Sequence, residues 1–306
     1  MSTLLKFQDT YVTAKGETRA SVELRELRTL WFNTGTRCNL SCDNCYIESN
    51  PKNDRLSFLT TEDLIPYLDE ITTEGLKTKE IGFTGGEPFL NPHIIELLEE
   101  PLKRGFQTLL LTNAFRIERY KKDLVRLNQK YGPLLTIRIS LDHYTSEIHE
   151  KERGAGTFLP TLKNVQWMFQ EGISIAIAGR TLTGEDKIKS YQGYAQMLKE
   201  FEIDLDTNDS KQLVIFAEMD PKGDPPEITT ACWDILNKSP DEMMCSNSRM
   251  VVKRKGEDQA KVLACTLLAY DPQFEMGTTL KNSKKSVQLN HKFCAQFCVL
   301  GGSSCS

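Results

Sequence analysis

Cys38, Cys42 and Cys45 stand in the run Arg37-Cys38-Asn39-Leu40-Ser41-Cys42-Asp43-Asn44-Cys45-Tyr46. A four-iron cluster wants four thiolates. Three thiolates this close can hold three irons and leave the fourth with an open position, which on a metal centre marks chemistry rather than structure. The competing reading is a structural zinc knuckle or three unrelated core thiols. A zinc knuckle needs a fourth ligand close by, and the next Cys or His after Cys45 is His93. A second informative stretch is Glu80-Ile81-Gly82-Phe83-Thr84-Gly85-Gly86-Glu87-Pro88. It reads as an apolar strand running into a glycine pair, where backbone can come close to a ligand and Glu87 offers a carboxylate.

Six further cysteines follow a breaker-rich linker, Asp220-Pro221-Lys222-Gly223-Asp224-Pro225-Pro226: Cys232, Cys245, Cys265, Cys294, Cys298 and Cys305. Residues 248–258 and 261–265 form two β-rich runs about a Gly-Glu-Asp turn, which predicts a hairpin with Cys245 and Cys265 near its open end. Cys232 falls in an apparent helix, Ile228–Leu236, and reads as a buried thiol.

These residues need a frame. Strand-like runs lie at Leu30–Thr34, Glu80–Phe83, Thr108–Leu111, Leu135–Ser140, Ile173–Ile177 and Leu213–Ala217. Helical patterns begin near Thr60 and lie at Pro92–Lys103, Arg119–Lys130, Leu159–Gln170 and Ile188–Phe201. That makes about six β/α units and a parallel sheet with crossover helices. Parallel sheets gather ligand sites at the carboxyl ends of their strands. The cysteine loop, Gly85–Pro88, Thr112-Asn113 and Ser140 all fall there.

The cysteine spacing with its trailing aromatic, and the Gly-Gly-Glu-Pro run after the second strand, resemble the radical S-adenosylmethionine (radical SAM) superfamily. The resemblance implies an α/β fold, a partial (β/α)6 barrel with a small C-terminal β-hairpin and cysteine-rich module. It implies that the open iron binds the amino and carboxylate groups of S-adenosylmethionine, with Gly85, Gly86, Glu87 and Pro88 near the amino group. Asn113 and Ser140 then fall on the cofactor side, Tyr46 lies against the adenine, and Arg153 reaches the methionyl carboxylate with a fork that suits it. Ile175 and Ile177 are apolar candidates for the adenine. The C-terminal cysteines resemble the twitch and SPASM extensions, which bind one or two auxiliary four-iron clusters. Cys245, Cys265, Cys294 and Cys298 are the preferred ligands of one such cluster, and Cys305 rivals either of the last two. Zinc is the alternative for that segment. The implied division is an extension at 1–27, a core at 28–220 and an auxiliary module at 221–306.

The implied reaction is reductive cleavage of S-adenosylmethionine, then hydrogen abstraction from a substrate C–H bond, with electrons from a partner such as flavodoxin or ferredoxin. An auxiliary cluster favours net oxidation, hence an oxidoreductase. The primary expectation is a small-molecule substrate, because the roughly 25 residues ahead of the barrel are too few for a separate peptide-recognition domain. The alternative is a maturase that modifies a ribosomally made peptide or protein. An iron–sulfur carrier or sensor would leave Gly85–Pro88 without a purpose. The 306 residues, 39% hydrophobic and 26% charged, suit a globular protein with a sizeable core. A net charge of −4 argues against generic nucleic-acid binding. Lys281, Lys284, Lys285 and Lys292 form a loose basic group that reads as a solvated loop. No signal-peptide or membrane-length apolar run is present, and nine cysteines in a reducing compartment suit metal ligation better than disulfides. The expectation is therefore a cytoplasmic protein.

Overall fold

The computed structural model describes residues 5–182 and 184–304, so Cys305 lies outside the described residues. The first part of the chain gives β1 (Ser21–Val22), β2 (Thr29–Asn33), α1 (Thr61–Thr73), β3 (Glu80–Thr84), α2 (Ile94–Lys103), β4 (Gln107–Thr112), α3 (Lys121–Tyr131) and β5 (Leu135–Ser140). It continues through α4 (Ser146–Arg153), α5 (Phe158–Gln170), β6 (Ser174–Arg180), α6 (Lys187–Glu200) and β7 (Leu213–Phe216). β2 to β7 pair in chain order and in parallel, which is the expected partial (β/α)6 barrel. β2 is buried along its whole length, and its Trp31 and Phe32 are fully buried. α1 starts where the sequence predicts. The Asp63 carboxylate accepts from the Thr60 amide at 3.1 Å, so one orphan donor of the first turn region is satisfied.

The C-terminal part adds α7 (Cys232–Leu236), β8 (Ser248–Val252), β9 (Lys261–Leu263), β10 (Glu275–Gly277) and β11 (Val287–Gln288). The expected hairpin is β8–β9, paired antiparallel. It is not a satellite of the barrel. β8 pairs in parallel with β2, Leu30 facing Arg249, so one nine-stranded sheet runs in the order β10-β9-β8-β2-β3-β4-β5-β6-β7. The N-terminal segment is tied to the same end: β1 pairs with β11, and the buried Arg19 guanidinium meets Glu227 at 2.6 Å. α7 is shorter than expected, because Thr229 and Thr230 bond back to Arg19 and Thr18 before the helix can begin. Cys232 is therefore half-buried at the start of α7, its sulfur accepting from the Thr229 amide at 3.4 Å, and is not the fully buried thiol expected. Nor do the lysines form one basic group: Lys281 and Lys284 pair with Glu74, while Lys292 bonds the Pro221 carbonyl.

The turn after β3 packs directly on the segment that leads into the cysteine loop. The Gly86 amide donates to the Gly35 carbonyl at 2.8 Å, and the Glu87 amide to the Arg37 carbonyl at 2.9 Å. A Cβ on Gly86 would lie 2.2 Å from the Arg37 carbonyl oxygen, and one on Gly85 would lie 2.6 Å from that of Gly35. The glycine pair thus admits backbone, not only ligand. Gly86→Ala should cost about 2 kcal/mol or more in urea unfolding, the scale of overpacking a tight site. Wild-type stability in that variant would show that the clasp is not tight.

Candidate functional site

The carboxyl ends of β2 to β6 open on a cavity of about 600 Å³. Cys38, Cys42, Cys45, Tyr46, Gly85, Gly86, Asn113, Ser140 and Arg153 all line it. Two predicted residues do not. Pro88 is buried at the start of a short 3₁₀ turn. Glu87 is buried behind the wall, where its carboxylate accepts from Thr112 Oγ1 at 2.7 Å and from the amides of Asn113 at 2.8 Å and Phe89 at 3.0 Å. Burial pushes the Glu87 carboxyl up, and these three bonds only partly offset it. Its role here is to hold the end of β4, and through it Asn113, against the cysteine loop. Asn113 Nδ2 reaches Asn39 Oδ1 at 3.0 Å and Cys38 Sγ at 3.7 Å.

The three thiols are close enough to influence one another electrostatically. Burial pushes the Cys38 thiol up to about 12 and raises Cys42 as well. Protein surroundings alone therefore disfavour the thiolate, and a bound cation would supply the missing driving force. Amide donors are already aimed at two of the sulfurs: Leu40 at 3.4 Å from Cys38 and Ser49 at 3.3 Å from Cys45. These donors fit metal-bound thiolates. His93 takes no part, since its ring bonds Glu96 on the exposed face of α2.

Arg153, at the end of α4, gives Nε and Nη2 to Asp142 at 2.8 and 2.7 Å. Burial opposes ionisation of Asp142, yet Arg153 and then Arg180 hold its carboxyl below the ordinary range. Two of the donors that the family resemblance directs to a methionyl carboxylate are thus engaged by a protein carboxylate. Arg180, at the end of β6, also contacts Glu152 at 3.6 Å and bonds Glu218 at 2.9 Å. Sequence reading missed Arg180, although its place at a strand's carboxyl end was a usable signal. Ile175 and Ile177 are buried in the core, and the wall that β6 offers the cavity is Ala178, Gly179 and Arg180. Also missed were Tyr270, Asp271, His291 and Lys292, which line the cavity too, Tyr270 with its hydroxyl donating to the Ile47 carbonyl at 2.8 Å. They lie beyond β9, Tyr270, Asp271 and His291 on irregular backbone and Lys292 at the start of the short helical stretch that leads into Cys294–Leu300, where no periodicity exists to read.

A second, smaller pocket is lined by Cys245, Cys265, Cys294 and Cys298. Cys294 and Cys298 share the π-type helix Cys294–Leu300, an element often found at functional sites. Burial raises the Cys245 thiol to about 11 and Cys294 well above its ordinary value. The Leu267 amide donates to Cys265 Sγ at 3.4 Å. Among the described residues, no three Cys, His, Asp or Glu side chains close on a single point in the way one metal ion requires. Four thiols around one pocket are a donor set that a metal centre could use. Leu267, Leu268 and Phe293 line this pocket and the main cavity alike, so they separate the two.

Residues 32–191, more than half of the chain, match the radical SAM superfamily. The chain belongs to that superfamily. Its members bind a four-iron cluster and S-adenosylmethionine, and the cysteine loop with its amide donors fits the cluster. The subtilosin biosynthesis protein AlbA of Bacillus subtilis is 33% identical over 148 residues, 48% of this chain and 32% of AlbA. The Fe-coproporphyrin III synthase of Methanosarcina barkeri is 26% identical over 176 residues, 56% of this chain and 41% of that protein. The chain thus spans well under half the length of these relatives. Among solved structures, Streptococcus suis SuiB bound to its precursor peptide SuiA superposes with a TM-score of 0.59 at 17% identity, covering 83% of this chain and 63% of SuiB. That likeness is one of fold, and it extends past the superfamily match into the cysteine-rich C-terminal part. Among the described residues, no helix is long and apolar enough to cross a membrane.

His149 on α4 is fully buried, and neither ring nitrogen has a hydrogen-bond partner. Burial, with help from Arg153, lowers its pKa from 6.5 to about 4. The unfolded chain therefore binds the proton more readily, so this contribution to stability is complete above pH 6.5 and is lost as pH falls towards 4. The full effect is on the order of 3 kcal/mol. Wild type should lose stability relative to His149→Leu over that window in urea titrations, and parallel pH profiles would contradict it.

Proposed function

We propose that this protein is a radical SAM oxidoreductase that modifies a peptide, using two four-iron clusters on either side of the substrate. Cys38, Cys42 and Cys45 hold the first cluster. Cys245, Cys265 and Cys294 hold the second, with Cys298 as the fourth ligand and Cys305 its rival. The observation that carries the reading is the shared lining: Leu267, Leu268 and Phe293 border both the cofactor cavity and the four-cysteine pocket. When bound and reduced, the first cluster with S-adenosylmethionine supplies hydrogen-atom abstraction from an unactivated C–H bond. Oxidation by two electrons needs an acceptor for the second electron, and a pocket one layer of side chains away is well placed to house one. A small reducing protein of the flavodoxin or ferredoxin kind would supply the initiating electron.

The chain's own residues orient and enclose. Gly85 and Gly86 set the cysteine loop against β3, Glu87 fixes Asn113, and the Asp142–Arg153–Arg180 cluster gives the cavity a rigid charged corner. The lining also holds an apolar and aromatic set, Phe216, Met219, Tyr270, Phe293 and Phe297, that begins beside Arg180 at its strand partner Phe216. A cavity of this size takes a drug-sized cofactor and a side-chain-sized part of a substrate. The names of AlbA and of the SuiB–SuiA complex support a peptide over the small molecule expected from the sequence, whereas the Methanosarcina synthase is the case for a small one. Residues 1–27, 28–220 and 221–306 are the proposed extension, core and auxiliary module, joined through β2 and β8.

Anaerobically reconstituted protein should bind about eight irons, and about four after Cys38, Cys42 and Cys45 are all replaced by Ala. Co-expression with a precursor peptide encoded beside its gene should yield a peptide short of two hydrogens. Cys265→Ala, if folded, should still cleave S-adenosylmethionine but give little of that product. Saturation of wild type at four irons, or full product from a Cys265→Ala protein lacking the second cluster, would end the two-cluster reading. Turnover of a small molecule with no peptide mass change would end the peptide reading alone.

A further inference from the structure

Arg249 is the one arginine in the C-terminal module that is buried completely. Its position follows from the sheet: it is the second residue of β8, paired with Leu30 in the strand that feeds the cysteine loop. The guanidinium donates only to main-chain carbonyls: Nε to Ser283 at 2.9 Å, Nη1 to Cys245 at 2.6 Å and Ser248 at 2.7 Å, and Nη2 to Lys285 at 3.3 Å. Among the described residues no carboxylate lies within 4.0 Å of it. Arg19, also buried, and Arg153, half-buried, differ. Arg19 meets Glu227 at 2.6 Å, and Arg153 meets Asp142 at 2.7 Å.

A buried cation satisfied by carbonyl dipoles but by no opposite charge is costly. The contact that ties it to the small pocket is the Cys245 carbonyl, one of its four acceptors, and Cys245 lines that pocket with Cys265, Cys294 and Cys298. We propose that Arg249 is the built-in counter-charge of the cluster held by Cys245, Cys265 and Cys294, and that it sets that cluster's reduction potential. The inference rests on the two-cluster reading above. A cluster carried by thiolates is anionic and gains one more negative charge when it accepts an electron. A fixed cation in a water-poor pocket favours the reduced form and raises the potential. Arg249 is thus a positioning and tuning residue: it touches the ligand's backbone, not the substrate. A cluster bound there would take one electron from a substrate radical while one proton went to solvent, and Arg249 would favour that uptake through its fixed positive charge.

The test uses full-length protein with Cys38, Cys42 and Cys45 replaced by Ala, so that only the second cluster is seen. Its potential is measured by dye-mediated titration monitored by electron paramagnetic resonance. Arg249→Met should shift the one-electron equilibrium at least tenfold against reduction, about 59 mV more negative. Arg249→Lys should stay near wild type. Failure of Arg249→Met to take up iron, while Arg249→Lys loads normally, would also support a charge role. An unchanged potential in loaded Arg249→Met, or equal failure of the Met and Lys variants to load, would overturn it and leave Arg249 as a main-chain latch. A parent protein that binds no second cluster would instead remove the two-cluster reading itself, and this inference with it.

Discussion

The contact on which the rest depends is between two stretches of backbone. The Gly85–Glu87 turn clasps the Gly35–Arg37 segment through amides 2.8 and 2.9 Å from their carbonyls, at a distance that leaves no room for a side chain. This contact fixes where the cysteine loop leaves the sheet. Glu87 then reaches the other way, to Thr112 and Asn113, so that one short turn joins the ends of β2, β3 and β4. An acidic residue buried at this point is unfavourable by itself. Its three hydrogen bonds make it a structural joint.

The C-terminal part is built onto the same frame. β8 takes the free edge of β2, so the hairpin that carries Cys245 and Cys265 is held in register with the strand that carries the cysteine loop at its end. A hinge between two loosely joined domains would let the distance between the two cysteine sets vary. A continuous sheet does not. The two cysteine sets are thereby held on one rigid frame.

The sequence made the barrel legible because its strands read as short, largely apolar runs, buried along the whole of β2 and on one face of β5, and because helices alternate with them. The cysteine triplet and the glycine pair were legible for a different reason: few structures other than a ligand loop and a tight backbone contact need those residues in that order. What stayed hidden is what depends on distant partners. Nothing in the local sequence tells that Arg153 pairs with Asp142, that Glu87 turns away from the cavity, or that α7 is cut short by Arg19 and Thr18. Tyr270 and His291 reach the cavity from irregular backbone, where no period betrays a face. Nothing in the hairpin sequence sets Arg249 apart, and only its burial without a carboxylate does so.

The central claim is that two iron clusters flank one cavity, separated by Leu267, Leu268 and Phe293. Anomalous diffraction at the iron absorption edge from anaerobically grown crystals tests it most directly. Two compact iron peaks are expected, one among Cys38, Cys42 and Cys45 and one among Cys245, Cys265 and Cys294. A single iron peak in the cysteine loop, with zinc or nothing in the C-terminal pocket, would contradict it.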